Sequence, residues 1–314
     1  MNKFNLKNKQ ILITGGTGFL GRHVHVALLN CGLSKNQIHV FGAKEMNFKK
    51  WENCLEATTN KHVVIHLAAK IGGIGLNKEK PAELFYDNAL MGIQLMEAAR
   101  QNGVEKFVTI GTVCAYPKNA PLPFKESTLW DGYPEEVTAP YGMAKKMLLV
   151  QGKAYHDQYG FASIFLLPVN LYGPGDHFES HYSHVMPALI KRIVDAKLDN
   201  TKEIVIWGTG KATREFLYIT DAADGIIKAT ERYNKLDPVN LGSAQEISIK
   251  NLVALISKVV GYKGKIKWDT SKPDGAKRRK LDTTKAYKEF GFKAKTNLES
   301  GIKKTAQWYL QNKQ

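Results

Sequence analysis

Cysteine is scarce in this chain: its 314 residues include three, Cys31, Cys54 and Cys114, at wide spacings. So few and so scattered cysteines exclude a disulfide framework and a zinc ribbon, and they are typical of a protein in a reducing compartment. Long apolar runs are also missing, since none approaches the roughly 18–20 residues that a membrane-spanning helix needs. The first seven residues are polar and show no signal-peptide pattern. We therefore expect a cytoplasmic protein with no membrane partner.

Acidic residues are outnumbered: 29 Asp and Glu against 45 Lys and Arg give a net charge of +16. Such an excess is typical of proteins that bind nucleic acid, an anionic membrane or small phosphorylated ligands. The basic residues are spread along the chain, however, and their densest group is the run 277–280. This spread favours a lysine-rich surface and small anionic ligands, so we expect no nucleic-acid partner.

Short β-branched segments alternate with helical ones in the first half of the chain, as in a parallel sheet with crossover helices. The predicted strands are 10–14, 37–41, 62–67, 106–111 and 162–168, and the predicted helices are 21–31, 81–102 and 141–156. After residue 175 longer loops and isolated helices replace this pattern. We expect an α/β protein with a Rossmann-type doubly wound parallel sheet and a smaller C-terminal α/β substrate domain. The predicted boundaries are 1–170 with about 216–239 for the first domain, and 171–215 with 240–314 for the second.

A glycine-rich loop, residues 14–21, follows the first predicted strand and opens the first predicted helix. Glycines at this spacing allow a tight turn, close approach of a pyrophosphate and close packing of the helix. The helix N-terminus then offers free N–H groups to the anion. NAD-binding loops of this kind place Asp or Glu at the end of the second strand, on the ribose 2′-hydroxyl. The sequence VFGAK (40–44) has no carboxylate there, so Arg22 and Lys44 favour a 2′-phosphate and hence NADP(H).

Tyr141 and Lys145 lie four residues apart and therefore on one face of the predicted helix. An ordinary phenol has a pKa of about 10, and a nearby ammonium lowers that pKa. Such a pair can give a proton to a carbonyl oxygen as a hydride reaches its carbon. Thr112 can place a hydroxyl beside the same carbonyl. Cys114 follows two residues later, on the same face of an extended strand end.

Three histidines, His177, His181 and His184, are spaced like a possible metal site. Pro174 and Gly175 argue against a continuous helix there, and no carboxylate that could orient a histidine ligand is evident. We therefore expect no metal.

These motifs together resemble the GDP-L-fucose synthase family of the extended short-chain dehydrogenases, over nearly the whole chain. The segments that carry the resemblance are the glycine loop, HLAA (66–69), GG (72–73), TVCAYP (112–117), PYGMAK (140–145), NLYGP (170–174), SHVMPAL (183–189), WGTG (207–210), REF (214–216) and PDG (273–275). The glycine loop and the Tyr/Lys pair mark only the superfamily, whereas the contexts of Cys114 and His184 are specific to this family. Thr112 stands where many members carry serine, which keeps the hydroxyl.

The resemblance implies a bifunctional epimerase–reductase that converts GDP-4-keto-6-deoxy-D-mannose to GDP-L-fucose. It implies that Cys114 and His184 invert C3 and C5 as an acid and a base, with the assignment of the two roles left open. It further implies that NADPH reduces C4, with Tyr141 as the acid and Lys145 holding the phenolate and the nicotinamide ribose. A homodimer joined through helices around 83–100 and 141–157 is also implied.

Three sets of site residues follow. The catalytic residues are Thr112, Cys114, Tyr141, Lys145 and His184. The residues predicted to bind NADPH are Gly15, Thr17, Gly18, Phe19, Leu20, Gly21, Arg22, Lys44, Leu67, Ala68, Ala69, Tyr141, Lys145, Pro168, Asn170, Leu171 and His184. The residues predicted to bind the GDP-sugar are Asn170, Arg192, Trp207, Arg214, Asp274 and Arg279.

Four other functions are weighed against this one. An epimerase–reductase or a reductase for another GDP-4-keto-deoxy sugar, of the colitose or heptose type, is the main alternative. A UDP-sugar 4-epimerase would recycle bound NAD and needs no Cys/His pair, and a 4,6-dehydratase needs a carboxylate near Thr112. A non-catalytic NADP(H) sensor could share the fold, but the intact Tyr141 and Lys145 argue against it.

Overall fold

The computed structural model describes residues 3–179, 183–272 and 274–313. Within them the chain forms twelve β-strands and ten α-helices. The strands are β1 (Ile11–Thr14), β2 (Ile38–Phe41), β3 (Val63–His66), β4 (Lys106–Ile110), β5 (Ser163–Pro168), β6 (Asn170–Tyr172), β7 (Glu203–Trp207), β8 (Thr213–Tyr218), β9 (Val239–Leu241), β10 (Glu246–Ser248), β11 (Lys265–Asp269) and β12 (Arg278–Arg279). The helices are α1 (Phe19–Asn30), α2 (Trp51–Thr58), α3 (Ile74–Glu79), α4 (Pro81–Gln101), α5 (Ala139–Tyr159), α6 (Val185–Leu198), α7 (Ile219–Arg232), α8 (Ile249–Val260), α9 (Thr284–Phe290) and α10 (Leu298–Asn312).

Six parallel strands form the main sheet, in the order β2-β1-β3-β4-β5-β9. The chain moves outward from β1 to β2, crosses back to β3 and then continues in the opposite direction. This order gives a doubly wound sheet whose topological switch point lies between β1 and β3, where ligands bind in such sheets. Thr14 lies opposite Phe41 on one side and His66 on the other, so the carboxyl ends of the three strands meet at one edge. The predicted fold class is confirmed.

Strands β1, β3 and β4 are buried at every residue and consist mostly of Ile, Val, Leu and Phe. Such continuous apolar runs are expected of parallel strands that helices cover on both faces. Helix α1 packs against α7, and α4 packs against α2 and α5. The predicted strands and helices of the first half are confirmed, with ends that shift by at most three residues.

Helix α5 begins two residues before its predicted start and ends three residues after its predicted end. Pro140 stands in the first turn, where a missing N–H costs nothing, and Gly160 ends the helix at φ +67. No helix in the described ranges combines the length and the apolar character that a membrane span requires.

A second group of strands surrounds β8, which pairs with β6, β10 and β12, while β7 pairs with β11. Helices α6, α8 and α10 pack with these strands around a second hydrophobic core that includes Ile190, Leu252 and Ile302. Leu281 and Phe290 lie instead in the core of the main sheet, although both fall in the range predicted for the smaller domain. The chain after β12 therefore returns to the main sheet.

Glu215 on β8 is a fully buried carboxylate that joins three segments of the chain. Its Oε1 accepts a hydrogen bond from the Ala244 N–H at 2.7 Å, and its Oε2 accepts one from the Leu281 N–H at 2.7 Å. Burial raises the pKa of Glu215, and these N–H donors oppose that effect by stabilising the carboxylate. Since Leu281 follows β12, Glu215 holds the chain that carries Arg279.

We expect Glu215→Gln to lower the free energy of unfolding by about 1–3 kcal/mol, because the new amide N–H₂ meets a buried N–H donor. Urea unfolding followed by circular dichroism measures the loss. Glu203→Gln, the same substitution at the exposed start of β7, serves as the control and should leave the midpoint unchanged. Equal midpoints for the two variants would contradict the role given to Glu215.

Candidate active site

A cavity of about 790 Å³ opens along the carboxyl edge of the main sheet. It extends from the glycine loop after β1, past the segments that follow β3 and β4, to β6. The predicted catalytic and cofactor-binding residues that line it are Gly15, Thr17, Gly18, Phe19, Leu20, Gly21, Leu67, Ala68, Ala69, Thr112, Cys114, Tyr141, Lys145, Pro168, Asn170, Leu171 and His184. Arg279, from the predicted sugar-binding set, also lines it. One cavity thus brings the glycine loop together with the Tyr/Lys and Cys/His pairs.

The glycine loop forms a cradle that fits a dinucleotide. Gly15 has φ +66, and a Cβ atom there would lie 2.8 Å from the Ala68 nitrogen, so only glycine fits the turn. A Cβ atom at Gly21 would overlap the Gly15 carbonyl oxygen, which shows how closely α1 packs on the loop. Gly18 caps α1 without a side-chain hydrogen bond, and the first turn has no acidic residue. The helix N-terminus therefore keeps N–H groups and a partial positive charge for a pyrophosphate.

A buried polar network beside the cradle is not predicted by the sequence analysis. Thr14 Oγ1 lies 2.9 Å from His66 Nδ1 and accepts a hydrogen bond from the Ala68 N–H at 3.3 Å. The Ala68 carbonyl in turn accepts a hydrogen bond from Lys145 Nζ at 3.4 Å. Burial and the neighbouring Lys145 cation hold the pKa of His66 well below its usual value, so the imidazole is neutral. Each of two adjacent buried strands ends in a polar residue, and the network could have been predicted from that pattern in the sequence.

Tyr141 and Lys145 lie in the first two turns of α5, and both side chains are buried. Tyr141 packs with Leu84, and Cys114 packs against this cluster. Burial, and secondly Cys114, raises the pKa of Tyr141, while burial lowers the pKa of Lys145 to about 8. The expectation that the ammonium lowers the pKa of the phenol is therefore wrong, because the cost of burying a phenolate outweighs the attraction of the cation. Tyr141 holds its proton and can act as an acid.

Cys114 lies in a short 3₁₀ turn, Val113–Ala115, that follows β4. Its N–H donates a hydrogen bond to Thr112 Oγ1 at 3.2 Å. The expectation of an extended strand end at this point is therefore wrong: the hydroxyl of Thr112 caps a turn, and the turn carries Cys114 into the cavity. A Cβ atom at Gly142 would lie 2.5 Å from the Cys114 carbonyl oxygen, so α5 packs directly on this turn.

Arg279 contacts the thiol directly, since its Nη1 donates to Cys114 Sγ at 3.3 Å. It comes from β12, a strand of the second sheet, and lies 165 residues from Cys114 in sequence. The sulfur therefore faces a cation, and such electropositive surroundings are typical of a reactive cysteine. The sequence analysis gives Arg279 a contact with the sugar, and the structure adds this contact with Cys114.

His184 is the N-cap residue of α6 and lines the cavity. Burial, and secondly His177, lowers the pKa of His184. Asp176, which the sequence analysis missed, lines the same cavity, and burial raises its pKa to about 7. Its Oδ1 accepts a hydrogen bond from the His177 N–H at 2.8 Å, and within the described residues its Oδ2 has no partner. The sequence signal from which this residue could have been predicted is an acidic residue directly after a Gly-Pro-Gly turn.

Two residues predicted to bind a 2′-phosphate, Arg22 and Lys44, do not line the cavity. Arg22 Nη2 instead donates to the Gly175 carbonyl at 3.4 Å, and His23 Nε2 lies 2.9 Å from the Pro174 carbonyl oxygen. Helix α1 is thus joined to the loop that carries Asp176. Lys44 is exposed.

Most of the other predicted sugar-binding residues lie outside the cavity. Arg192 Nη1 donates to the Val205 carbonyl at 2.6 Å, and Val205 and Trp207 are both exposed on β7. Arg214 donates to the Ala276 carbonyl at 2.7 Å, and burial, with Arg279 nearby, lowers its pKa to about 10.

Asp274 and Asn170 complete this set. Asp274 Oδ1 accepts a hydrogen bond from the Thr209 N–H at 2.6 Å, so Asp274 is held against the loop after β7. Asn170 Nδ2 donates to the Glu215 carbonyl at 3.1 Å, and Asn170 lines the cavity. The predicted sugar-binding residues therefore lie on β6, α6, β7, β8 and the chain around β12.

Among the described residues there is no group of three or more His, Cys, Asp or Glu side chains that could hold a metal ion. His177 and His184 both line the cavity, and His181 lies outside the described residues.

Comparison with known proteins agrees with this geometry. The model of the NAD dependent epimerase/dehydratase family matches residues 11–242. A GDP-L-fucose synthase of Sinorhizobium fredii is 35% identical over 314 residues, which cover 99% of both chains. GDP-L-fucose synthase 1 of Arabidopsis thaliana is 35% identical over 98% of this chain and 94% of its own. A GDP-L-colitose synthase of Yersinia pseudotuberculosis is 34% identical over 97% of this chain and 99% of its own.

Solved structures resemble the whole chain. A GDP-L-fucose synthetase of Naegleria fowleri bound to NADP superposes with a TM-score of 0.88, at 27% identity, over 99% of this chain and 97% of its own. A GDP-6-OMe-4-keto-L-xylo-heptose reductase of C. jejuni gives a TM-score of 0.89, at 26% identity, over 99% of both chains. The match to the family model and the near full-length relatives lead to one conclusion: the chain belongs to the NAD dependent epimerase/dehydratase family, in its GDP-L-fucose synthase branch.

Proposed function

We propose that this chain converts GDP-4-keto-6-deoxy-D-mannose to GDP-L-fucose by epimerisation at C3 and C5 and reduction at C4. The observation that carries the proposal is that Tyr141, Lys145, Cys114 and His184 line one cavity beside a dinucleotide cradle. Reduction and epimerisation require these two pairs of groups at the same sugar. The GDP-L-fucose synthases among its relatives support the choice of substrate.

The reduction depends on a proton that is available at the right atom. NADPH, when bound, supplies the hydride to C4. Tyr141 keeps its proton because burial raises its pKa, and it gives that proton to the C4 oxygen as negative charge develops there. Lys145, a buried neighbour on the same helix, stabilises the phenolate that results.

The epimerisation depends on a base and an acid on either side of the sugar. A keto group at C4 makes the protons on C3 and C5 acidic. Arg279 Nη1 lies 3.3 Å from Cys114 Sγ, and reactive cysteines lie in such electropositive surroundings, so we assign Cys114 as the base. His184, the N-cap residue of α6, lines the same cavity, and we assign it as the acid that gives a proton to the opposite face.

The GDP moiety requires a surface beyond the cavity. We propose that the second core, with α6, β7 and the chain near β12, forms the nucleotide-sugar-binding domain. Trp207 is exposed next to Val205 and can stack on a guanine, while Arg192 and Arg214 supply positive charge for the diphosphate. Arg279 lies between this surface and Cys114.

One alternative has specific support. The relatives named for GDP-L-colitose and for a GDP-keto-heptose reductase match the chain over nearly its full length. A substrate of either kind would use the same cradle, the same Tyr141 and the same GDP surface. A pure reductase would not require Cys114 and His184, and both residues line the cavity.

The first test supplies the protein with GDP-4-keto-6-deoxymannose and NADPH in deuterated water. We expect NADPH oxidation and GDP-L-fucose with deuterium at C3 and C5, seen by NMR. Cys114→Ser should lower deuterium incorporation, and Tyr141→Phe should lower NADPH oxidation, each by about a hundredfold or more. Cys31→Ser and Tyr133→Phe, at exposed positions, are the matched controls and should behave as the wild type.

Reduction without deuterium at C3 or C5 would leave a reductase and remove the role of Cys114 and His184. If folded protein binds NADPH but never oxidises it, the substrate is another sugar or the chain is a sensor.

A second experiment tests the base assignment. Arg279→Gln removes the guanidinium beside the thiol, so alkylation of Cys114 by iodoacetamide at neutral pH should slow by about threefold or more. Peptide mass spectrometry follows each thiol separately. The exposed Cys31 is an internal control whose rate should not change. An unchanged rate at Cys114 would show that Arg279 does not stabilise the thiolate.

We also propose a homodimer joined through α4 and α5. Tyr86 and Ile93 on α4 and Val150 on α5 are exposed apolar side chains, and Gln151 Nε2 donates to the Ile93 carbonyl at 3.0 Å, which places them close together. Such a patch on two packed helices is typical of an interface.

We also propose a cytoplasmic location, which the three free cysteines support.

Light scattering should give about twice the 35.1 kDa mass of one chain. Ile93→Lys should give a monomer, because a lysine at the centre of an apolar interface is desolvated without a partner. Val26→Lys, at an exposed apolar position on α1, is the control and should stay dimeric. A wild-type protein that runs as a monomer would remove this interface.

A further inference from the structure

The segment between β3 and α3 carries two exposed isoleucines along the cavity. Residues 67–74 all line the cavity, and within them Ile71 is 51% exposed and Ile74 is 55% exposed. Of the cavity-lining residues that the structure describes, these two are the large apolar side chains that remain exposed. Exposed apolar surface at the wall of a ligand cavity is typically covered by the ligand.

Two buried asparagines hold the backbone of this segment. On one side, Asn88 of α4 accepts a hydrogen bond from the Lys70 N–H at 3.0 Å, and its Nδ2 donates to the Lys70 carbonyl at 2.9 Å. On the other side, Asn77 Nδ2 donates to the carbonyls of the glycine pair 72–73 at 3.1 and 3.0 Å. The backbone on both sides of Ile71 is therefore fixed by buried hydrogen bonds, and the isoleucines are presented by a rigid support.

The same segment lies between the catalytic tyrosine and an arginine of the second sheet. Leu76, two residues after Ile74, packs with Tyr141. A Cβ atom at Gly275 would lie 3.7 Å from Ile74 Cδ1 and 3.6 Å from Arg214 Nη2, so Ile74 reaches the other wall of the site. Ile74 thus lies between the proton donor for C4 and the cation proposed for the diphosphate.

The proposed substrate spans the same two groups. Its C4 oxygen meets Tyr141 and its C1 carries the diphosphate, so the sugar ring lies along this segment. Hydroxyls on C2 and C3 would lose their hydrogen bonds to water against an isoleucine, which is unfavourable. The methyl group on C5 gains from the same burial. The methyl edge of the sugar is therefore the edge that fits the two isoleucines.

We infer that Ile71 and Ile74 determine specificity at C6 of the sugar, and that they select a 6-deoxy sugar by contact with its methyl group. A sugar of the heptose type carries a hydroxylated chain in place of this methyl, and its hydroxyls would be buried there without partners. The inference rests on the proposed function, since it takes the ligand to be a GDP-sugar whose C4 meets Tyr141.

The test compares GDP-L-fucose with GDP-L-galactose, two stable sugars that differ by one hydroxyl at C6. Titration calorimetry measures both dissociation constants on the full chain loaded with NADP⁺. We expect the wild type to bind GDP-L-fucose more tightly by about tenfold or more, because an apolar pocket disfavours an added hydroxyl.

Asparagine variants test the two side chains. Ile71→Asn and Ile74→Asn should each reduce the preference to about threefold or less, since the amide offers the C6 hydroxyl a hydrogen bond. Ile74→Leu keeps an apolar side chain and should keep the preference. Val26→Asn, the same kind of change at a 54% exposed position on α1 outside the cavity, is the matched control and should behave as the wild type.

The outcomes separate this inference from the proposed function. Equal binding of the two sugars by a chain that forms GDP-L-fucose overturns the role of Ile71 and Ile74 and leaves the proposed function in place. A preference that both asparagine variants retain overturns the role as well. A chain that forms no GDP-L-fucose, but whose preference at C6 is lost in Ile74→Asn, refutes the proposed reaction and supports the contact. Binding of neither sugar refutes both.

Discussion

The contact between Thr14 and His66 is the constraint on which the site depends. A threonine hydroxyl has one hydrogen to donate, and since the Ala68 N–H donates to Oγ1, that hydrogen is available for His66 Nδ1. The imidazole is neutral, because an imidazolium here would be buried near the Lys145 cation. The network thus holds the carboxyl ends of β1 and β3 together and fixes Ala68. Ala68 in turn leaves no room for a side chain at Gly15 in the glycine loop, and its carbonyl accepts the hydrogen bond from Lys145.

Two reactions with opposite electrostatic needs share the cavity. In the proposed mechanism Tyr141 keeps its proton until hydride transfer, whereas Cys114 acts as a base at the start. Burial satisfies the first need, and Arg279 places a cation beside Cys114 Sγ. The two groups are also coupled, since negative charge on Cys114 raises the pKa of Tyr141. Negative charge at Cys114 therefore helps to hold the phenol in its protonated form.

Local patterns predicted most of the fold and the part of the site that is local in sequence. Runs of apolar residues predicted the buried parallel strands. The glycine loop lies within one turn and the Tyr141/Lys145 pair lies on one helix face, so short-range spacing was enough to predict both. The contacts that the sequence did not predict either join residues far apart in the chain or lie in turns. Arg279 reaches Cys114 across 165 residues, and Glu215 reaches Leu281 across 66. The sequence analysis assumed that the chain continues in an extended form past a strand end. The 3₁₀ turn at Cys114 and the hydrogen bond from the Gly42 N–H to Glu45 Oε2 show that it turns instead.

The short chain around β12 joins the second sheet to the main sheet beside the cavity. Arg278 and Arg279 pair in register with β8, so they belong to the second sheet, but Leu281 two residues later is buried in the core of the main sheet. Glu215 fixes this crossing by accepting the Leu281 N–H, and the Phe124 N–H donates to the Lys280 carbonyl from the other side. A two-residue strand held at both ends has little freedom to move. The guanidinium of Arg279 is therefore fixed at the thiol by the same bonds that join the second sheet to the main sheet.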